Sequence, residues 1–445
     1  MYSLYIDPGT GSMLFTILIG VFGVGVYFLR TLIMKIKFII SGGKREKMDG
    51  NKLPIVIFSD NKRYWNIFEP ICDEFEKRGQ EVYYFTASPD DKALEKKYEH
   101  IKAEFIGEGN KAFSRLNLLN ATVVLSTTPS LDVFQWKRSK EVQYYVHIPH
   151  AAGDITIYRM FGIDFYDSIL LSGQFQIDQL KKLWEIRGVP VKEMELVGIP
   201  YMDEMKKRVD ANRYVRPEGE VPTILLAPSW GPSSIFAFYG GRIIDELLKT
   251  GYKVVVRPHP QSFESEKEMM DELMSKYHDS DKLEWNRDTD NFDVLNRSDI
   301  LISDFSGVLY DFSLVFDKPI IYADTSFDKS VYDAAWLEDD LWTFSILPSL
   351  GQQLSDDNIG NIKEVIDECL NDPKYQAGRD KARSETWVHM GEGAKRTVDY
   401  MMDKYNALVK EAREKAEKES AKVSKKPLRK KKEKAAKKPE KEAAK

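Results

Sequence analysis

Residues 298–322 read SDILISDFSGVLYDFSLVFDKPIIY, and their pattern sets the fold. DILI (299–302) is a short apolar run without polar alternation, as expected of a parallel strand buried on both faces. Ser303-Asp304-Phe305-Ser306-Gly307 interrupts it with turn and helix-capping residue types. VLYDFSLVF (308–316) has helical apolar spacing, and PIIY (319–322) is a second apolar run. Strand, turn, helix and strand in one stretch predict a βαβ unit and a parallel sheet.

Working outward, the same alternation fills the chain from residue 53. Strand-like runs occur at 54–60 (PIVIFSD), 81–86, 121–128, 143–149 (QYYVHIP), 167–173 and 194–200, with helical stretches between them. A second series follows at 223–229 (TILLAPS), 253–260 (KVVVRPHP), 299–307 and 319–324. The charged stretch 205–222, which carries two prolines, separates the series. Two doubly wound α/β domains facing a cleft are expected, over 53–210 and 211–400. Helical segments at 360–370 and 392–416 close the body, and 401–445 is read as the helix end followed by a disordered Lys-rich tail.

Ahead of this body, GSMLFTILIGVFGVGVYFL (11–29) is an uncharged run of 19 residues. As a helix it spans about 28 Å, close to the thickness of a bilayer core. No basic region precedes it and no small-residue cleavage pattern closes it, so it reads as a transmembrane anchor rather than a signal peptide. Arg30, Lys35, Lys37, Lys44, Arg45 and Lys47 follow it, which puts the body on the cytoplasmic side by the positive-inside tendency. Residues 1–52 therefore form anchor and juxtamembrane segment, with membrane lipid as partner through 11–29.

The formal charge of −5 conceals an asymmetry: residues 420–445 hold twelve Lys/Arg against three Glu, a net of +9, leaving −14 elsewhere. A solvated tail and an electrostatic contact with anionic lipid both fit this composition. Nucleic acid is not expected as a partner, because no stacking aromatics interleave the lysines. Cys72 and Cys369 give neither a disulfide framework nor a metal spacing.

Ligands of open parallel sheets sit at the carboxyl ends of strands. Arg257-Pro258-His259-Pro260 follows KVVV, its prolines fixing the backbone so that Arg257 and His259 face the cleft. Ser303, Asp304, Ser306 and Gly307 form a second corner, where capping and close backbone approach make a phosphate cradle. His147-Ile148-Pro149-His150 ends a strand in the first domain, and either histidine can serve as a base near neutral pH. No third ligand completes a metal set with them. Asp154, Gly173, Gly198 and Asp311 complete the residues expected to line the cleft. Asp279-Ser280-Asp281 and Asp288-Thr289-Asp290 are read as solvated turns around KLEW, away from these corners.

These residues resemble the CDP-glycerol glycerophosphotransferases of bacterial teichoic-acid and related polymer synthesis. Residues 298–322 are similar to that family's Asp-x-Leu-Ile-Ser/Thr-Asp-Tyr/Phe-Ser-Ser block, VRPHP (256–260) to its Arg-x-His-Pro turn, APSW (227–230) to its Ala-Pro-Thr/Ser-Trp, and VGIPYMD (197–203) to its Gly-x-Pro-Arg-x-Asp. The likeness covers roughly 120–400. The chain departs from the pattern in three places. HIPHAAGD replaces His-Gly-Thr-Pro with no basic residue after it, Tyr201 stands where the family has Arg, and Gly307 replaces the second serine. These departures bear on substrate identity more than on fold.

The resemblance implies a GT-B-like fold, two Rossmann-like domains around a cleft, with no resident cofactor or metal required. It implies a CDP-linked donor whose glycerol phosphate passes to a hydroxyl of a lipid-linked glycan or polyol acceptor, at the inner membrane of a bacterial cell. His147 or His150 would be the base. His259 and Arg257, with Pro228, Ser229, Ser303, Asp304, Ser306 and Gly307, would hold the nucleotide and phosphates. A GT-B glycosyltransferase using another nucleotide sugar, or an inactive nucleotide-binding assembly protein, is the competing expectation.

Overall fold

The computed structural model describes residues 52–288, 290–304, 306–323 and 327–435. The anchor expected over 11–29 lies outside the described residues. Among the described residues no helix is long and apolar enough to cross a membrane.

The first seven strands are β1 (Leu53–Ser59), β2 (Val82–Thr86), β3 (Ile101–Phe105), β4 (Ala121–Ser126), β5 (Val142–His147), β6 (Ser168–Leu171) and β7 (Glu193–Leu196). They form one sheet in the order β3-β2-β1-β4-β5-β6-β7, every pair parallel. The next six are β8 (Thr223–Leu226), β9 (Lys253–Val256), β10 (Leu283–Trp285), β11 (Ile300–Ser303), β12 (Ile320–Ala323) and β13 (Gly351–Leu354). Their sheet runs β10-β9-β8-β11-β12-β13, also wholly parallel. Both follow the strand order of a Rossmann sheet, in which the chain reverses direction between the first and fourth strands.

Apolar residues on alternate faces explain why both sheets are buried on two sides. In β1, Ile55 and Ile57 point one way and Val56 and Phe58 the other, and all four are fully buried. Helix α1 (Trp65–Lys77) covers one face with Trp65, Ile67, Phe68, Ile71 and Phe75. That apolar cluster continues without a break to Leu225, Val255 and Leu301 of the second sheet, so the two halves share a core.

The sequence-quoted strands all form; β3 and β13 are additional. Both lie at sheet edges, where β3 (IKAEF) is partly exposed and β13 (GQQL) is polar, so neither presents an apolar run.

Chain crossings tie the halves together. After β12, residues 327–346 reach the first half, where Tyr332 bridges Arg159 in antiparallel fashion. The Asp333 carboxylate accepts from the N–H groups of Phe161 (2.7 Å) and Gly162 (3.2 Å) and pairs with Arg187, the last residue of helix α2 (Gln174–Arg187). Arg187 also pairs with Asp164 at 2.9 Å, and its side chain is only 3% exposed. The last helix then returns to the first sheet. Helix α4 (Gly393–Ala435) buries Val398 and Met401 in the shared core, each worth about 1.5–3 kcal/mol, and pairs Lys404 with Glu193. Helix α3 (Pro200–Ala211) begins with proline at its first position and packs between α1 and the second half. Helix α4 extends to Ala435, into the stretch expected to be disordered, as its Ala, Lys, Glu and Arg content favours. Residues 436–445 lie outside the described residues.

Candidate active site

In each sheet the reversal point falls between two adjacent strand ends, β1 and β4 in the first, β8 and β11 in the second. The loops leaving those ends and the neighbouring strands β5 and β9 contain the site.

At the second sheet, three loops interlock. Asp304, buried after β11, accepts from the Ser229 N–H with both carboxylate oxygens (3.1 and 3.0 Å) and from the Ile235 N–H (3.1 Å). Ser303 Oγ donates to the Ala227 carbonyl at 2.5 Å, and the His259 N–H donates to the Pro228 carbonyl at 3.3 Å. Burial raises the Asp304 pKa, and the hydrogen bonds from Ser229 and Ile235 oppose that rise. Ser303, Asp304, Pro228 and Ser229 thus fix loop shape. Ser306 is partly exposed beside Gly307, whose Cβ position has nothing within 4 Å, so this corner opens onto free space.

His259 is exposed, with Nδ1 accepting from the Gln261 N–H at 3.1 Å. In the neutral ring the proton therefore sits on Nε2, which is presented as a donor. Partial burial and then the Arg63 charge lower its pKa. Trp230 is exposed, its ring 6.5 Å from that of His259. Arg257 turns aside: its guanidinium bonds Asn286 Oδ1 and the Asp288 carbonyl (2.8 Å). This corrects the expectation that Asp288-Thr289-Asp290 lies away from the corners. β10 runs parallel to β9, so the loops leaving both strands share one edge. Asp290 is paired with Arg208 there.

At the first sheet the edge is aromatic. His147 ends β5 fully buried, its ring 4.9 Å from Tyr166 and 5.4 Å from Tyr158. Neither ring nitrogen has a hydrogen-bond partner among the described residues, and burial, then His150, lowers its pKa to about 3. His150 is less enclosed. Its Nδ1 lies 3.1 Å from Tyr158 Oη and its ring 5.1 Å from Tyr64. Burial and then Arg63 lower its pKa to about 4, so both histidines are neutral at neutral pH.

Two residues of this edge escape a search centred on histidines. Asp60 follows β1, with Oδ1 buried and unpartnered among the described residues, and burial raises its pKa. Arg63 sits three residues on, in a turn capped by Asn61 Oδ1, which accepts from the Arg63 N–H at 3.1 Å. Both belong to the loop after the run PIVIFSD, so the rule that ligands meet strand carboxyl ends was the signal available in the sequence.

Four expected cleft residues have structural partners instead. Asp154 accepts from the N–H groups of Trp342 (3.1 Å) and Thr343 (2.6 Å), joining the halves. A Cβ on Gly173 would lie 2.2 Å from the Glu385 carbonyl oxygen, and one on Gly198 (φ +95°) 2.7 Å from that of Val388. Both glycines therefore make room for the returning chain rather than for a ligand. Asp203 of the same VGIPYMD motif binds that chain, accepting from Trp387 Nε1 (2.8 Å), Gly391 N–H (2.7 Å) and Gly393 N–H (2.8 Å). Asp311 accepts from Tyr201 Oη at 3.1 Å, and burial raises its pKa to about 6. Among the described residues, the one cluster with metal-ligand spacing is Glu76, Glu99 and His100. It stands at the amino end of β3, where Glu76 accepts from the Glu99 and His100 N–H groups.

The chain matches the family model of CDP-glycerol:poly(glycerophosphate) glycerophosphotransferases over residues 163–393, just over half its length. The match takes in the second-sheet corners and begins after His150. A teichoic acid glycerol-phosphate primase of Bacillus spizizenii is 23% identical over 317 residues, 64% of this chain and 76% of the relative. Among solved structures, the wall teichoic acid polymerase TagF superposes with a TM-score of 0.53 at 13% identity, covering 86% of this chain and 98% of that one. A UDP-N-acetylglucosamine 2-epimerase, described as putative, from Listeria monocytogenes gives 0.53 at 13% identity, covering 78% and 95%. The structural likenesses establish a GT-B-like fold, and the family match makes the protein a transferase: the chain belongs to the CDP-glycerol:poly(glycerophosphate) glycerophosphotransferase family.

Proposed function

We propose that the protein transfers glycerol phosphate, or a similar polyol phosphate, from a CDP-linked donor to a hydroxyl of a lipid-linked or cell-surface glycan acceptor. The observation that supports this reading is a pair of strand-end corners: one presents His259 Nε2–H, and the other holds His150 beside Tyr64 and Arg63. The acceptor oxygen bonds to the glycerol-bearing phosphorus as the bond from that phosphorus to the CMP oxygen breaks. CMP leaves with the electron pair. The acceptor proton passes to His150 Nε2, which is basic when Nδ1–H donates to Tyr158 Oη. A diphosphate beside His150 raises its proton affinity from the low value set by burial and Arg63. His259 stabilises charge growing on the leaving phosphate, the larger contribution in phosphoryl transfer. This reading calls for no resident metal, the donor itself being the nucleotide. The apolar run 11–29 supports membrane anchoring with the body on the cytoplasmic side, beside a lipid-linked acceptor.

The test is CMP release from CDP-glycerol by the full chain in lipid nanodiscs. His259→Ala is expected to lower turnover by about 10²–10³-fold with an unchanged circular dichroism spectrum. Full activity in that variant overturns the reading, and release of UDP from a UDP-sugar instead would favour a glycosyltransferase.

A further inference from the structure

The loop after β1 holds a cation that the motifs above do not include. Its backbone is fixed by the Asn61 cap, and Arg63 Nη2 donates to Tyr64 Oη at 2.9 Å while the guanidinium lies 4.8 Å from the centre of the Tyr64 ring. Tyr64 is itself buried, with its ring 5.1 Å from that of His150. The guanidinium is therefore held in place by an aromatic ring that also touches the candidate base.

Three other cations that follow strands or helices of the two halves are occupied. Arg257 bonds Asn286 and Asp288, Arg187 pairs with Asp164 and Asp333, and Lys62 pairs with Asp90. Arg63 makes no ion pair among the described residues, although it is exposed at the reversal point of the sheet. The nearest acid in sequence, Asp60, is disfavoured as a charge by its own burial. Arg63 lies on the Tyr64 ring that neighbours His150, and its charge lowers the proton affinity of His150 and of His259. A guanidinium without an ion pair among the described residues, ordered by a ring and leaving donors free, matches a phosphate or diphosphate.

We propose that the Arg63 guanidinium binds the diphosphate of the nucleotide donor and holds it between His150 and His259. This rests on the transferase reading for the identity of the donor, but the anion site can be tested without turnover. A phosphate here could belong to the donor or to a phosphate-bearing acceptor, and the experiment separates them.

Isothermal titration of the full chain in nanodiscs would compare inorganic pyrophosphate, CDP and glycerol 3-phosphate on the wild type, Arg63→Gln and Arg63→Lys. Pyrophosphate and CDP should bind about tenfold or more weakly to Arg63→Gln, with Arg63→Lys intermediate because it keeps charge and loses the fork. Unchanged melting would show that the loss is local. Pyrophosphate and CDP affinities within about twofold of wild type overturn the proposal, as does a wild type that binds neither. A loss confined to glycerol 3-phosphate overturns the donor assignment. If the anion affinities fall as expected while the wild type fails to turn over CDP-glycerol, the Arg63 site stands and the functional reading does not.

Discussion

At the carboxyl edge of the second sheet, polar side chains bind the loops themselves. Asp304 holds two backbone segments, Ser303 holds a third bond, Arg257 ties β9 to β10, and His259 is oriented by Gln261. At the first sheet the reverse holds. Asp60 Oδ1, Thr127 Oγ1 and both nitrogens of His147 are buried without partners among the described residues. Unpaired buried polar groups cost about 1–3 kcal/mol each; the segment after β9 has two of its own, Ser262 Oγ and Glu266 Oε2, so the contrast lies in the strand-end residues. One edge uses its strand-end polar groups to hold its own loops; the other leaves several without a partner among the described residues. In the proposed function the second edge takes the nucleotide and the first supplies the base, with Arg63 of the first edge reaching the diphosphate.

The largest effect that could break this comparison concerns the two histidines. His150→Phe is expected to reduce CMP release by about 10²–10⁴-fold, whereas His147→Phe keeps it within about tenfold. The opposite ranking, measured on nanodisc-bound protein, would move the base to the buried ring. The next contrast is between two acids. Asp304→Ala leaves the Ser229 and Ile235 N–H groups without acceptors and should destabilise by about 2–4 kcal/mol in urea unfolding. Asp60→Asn, which removes a burial-disfavoured charge, should stay within about 1 kcal/mol of wild type.

A smaller effect tests the contact between the halves. The Asp311 pKa rises from 3.8 to about 6 on folding, so the native state binds the extra proton between those values. The stability this supplies is complete below pH 3.8 and is lost as pH rises through 6. Asp311→Asn can still accept from Tyr201, and relative to wild type it should gain about 2–3 kcal/mol between pH 4 and pH 8. Urea midpoints at the two pH values check this. Smallest of all, Gly307→Ala meets open space at φ −58° and should shift stability by only about 0.4–1 kcal/mol, in the favourable direction. A large drop in CDP binding by that otherwise stable variant would mark the corner as a close phosphate contact.

The strands were legible where apolar runs are continuous, and both sheets follow from them. The edge strands β3 and β13 were not, because exposure there permits polar residues. Motif residues were found readily, but their roles were harder to read. Gly173 and Gly198 follow strand ends and Asp154 lies in the loop after β5, as cleft residues would, yet their partners at 385–388 and 342–343 are distant in sequence. Arg63 was hidden for the opposite reason: it belongs to no motif, and what singles it out is that it makes no ion pair among the described residues.

The return of α4 to the first sheet has a consequence for how the molecule is made. The first half is discontinuous in the chain, with the whole second sheet inserted before its last helix. As synthesis proceeds from the amino end, Asp203 and Gly198 wait for residues 387–393, and the core wall completed by Val398 and Met401 stays open until then. The half that is translated first is therefore finished last, and its folding is coupled to that of the second half, which is inserted within it.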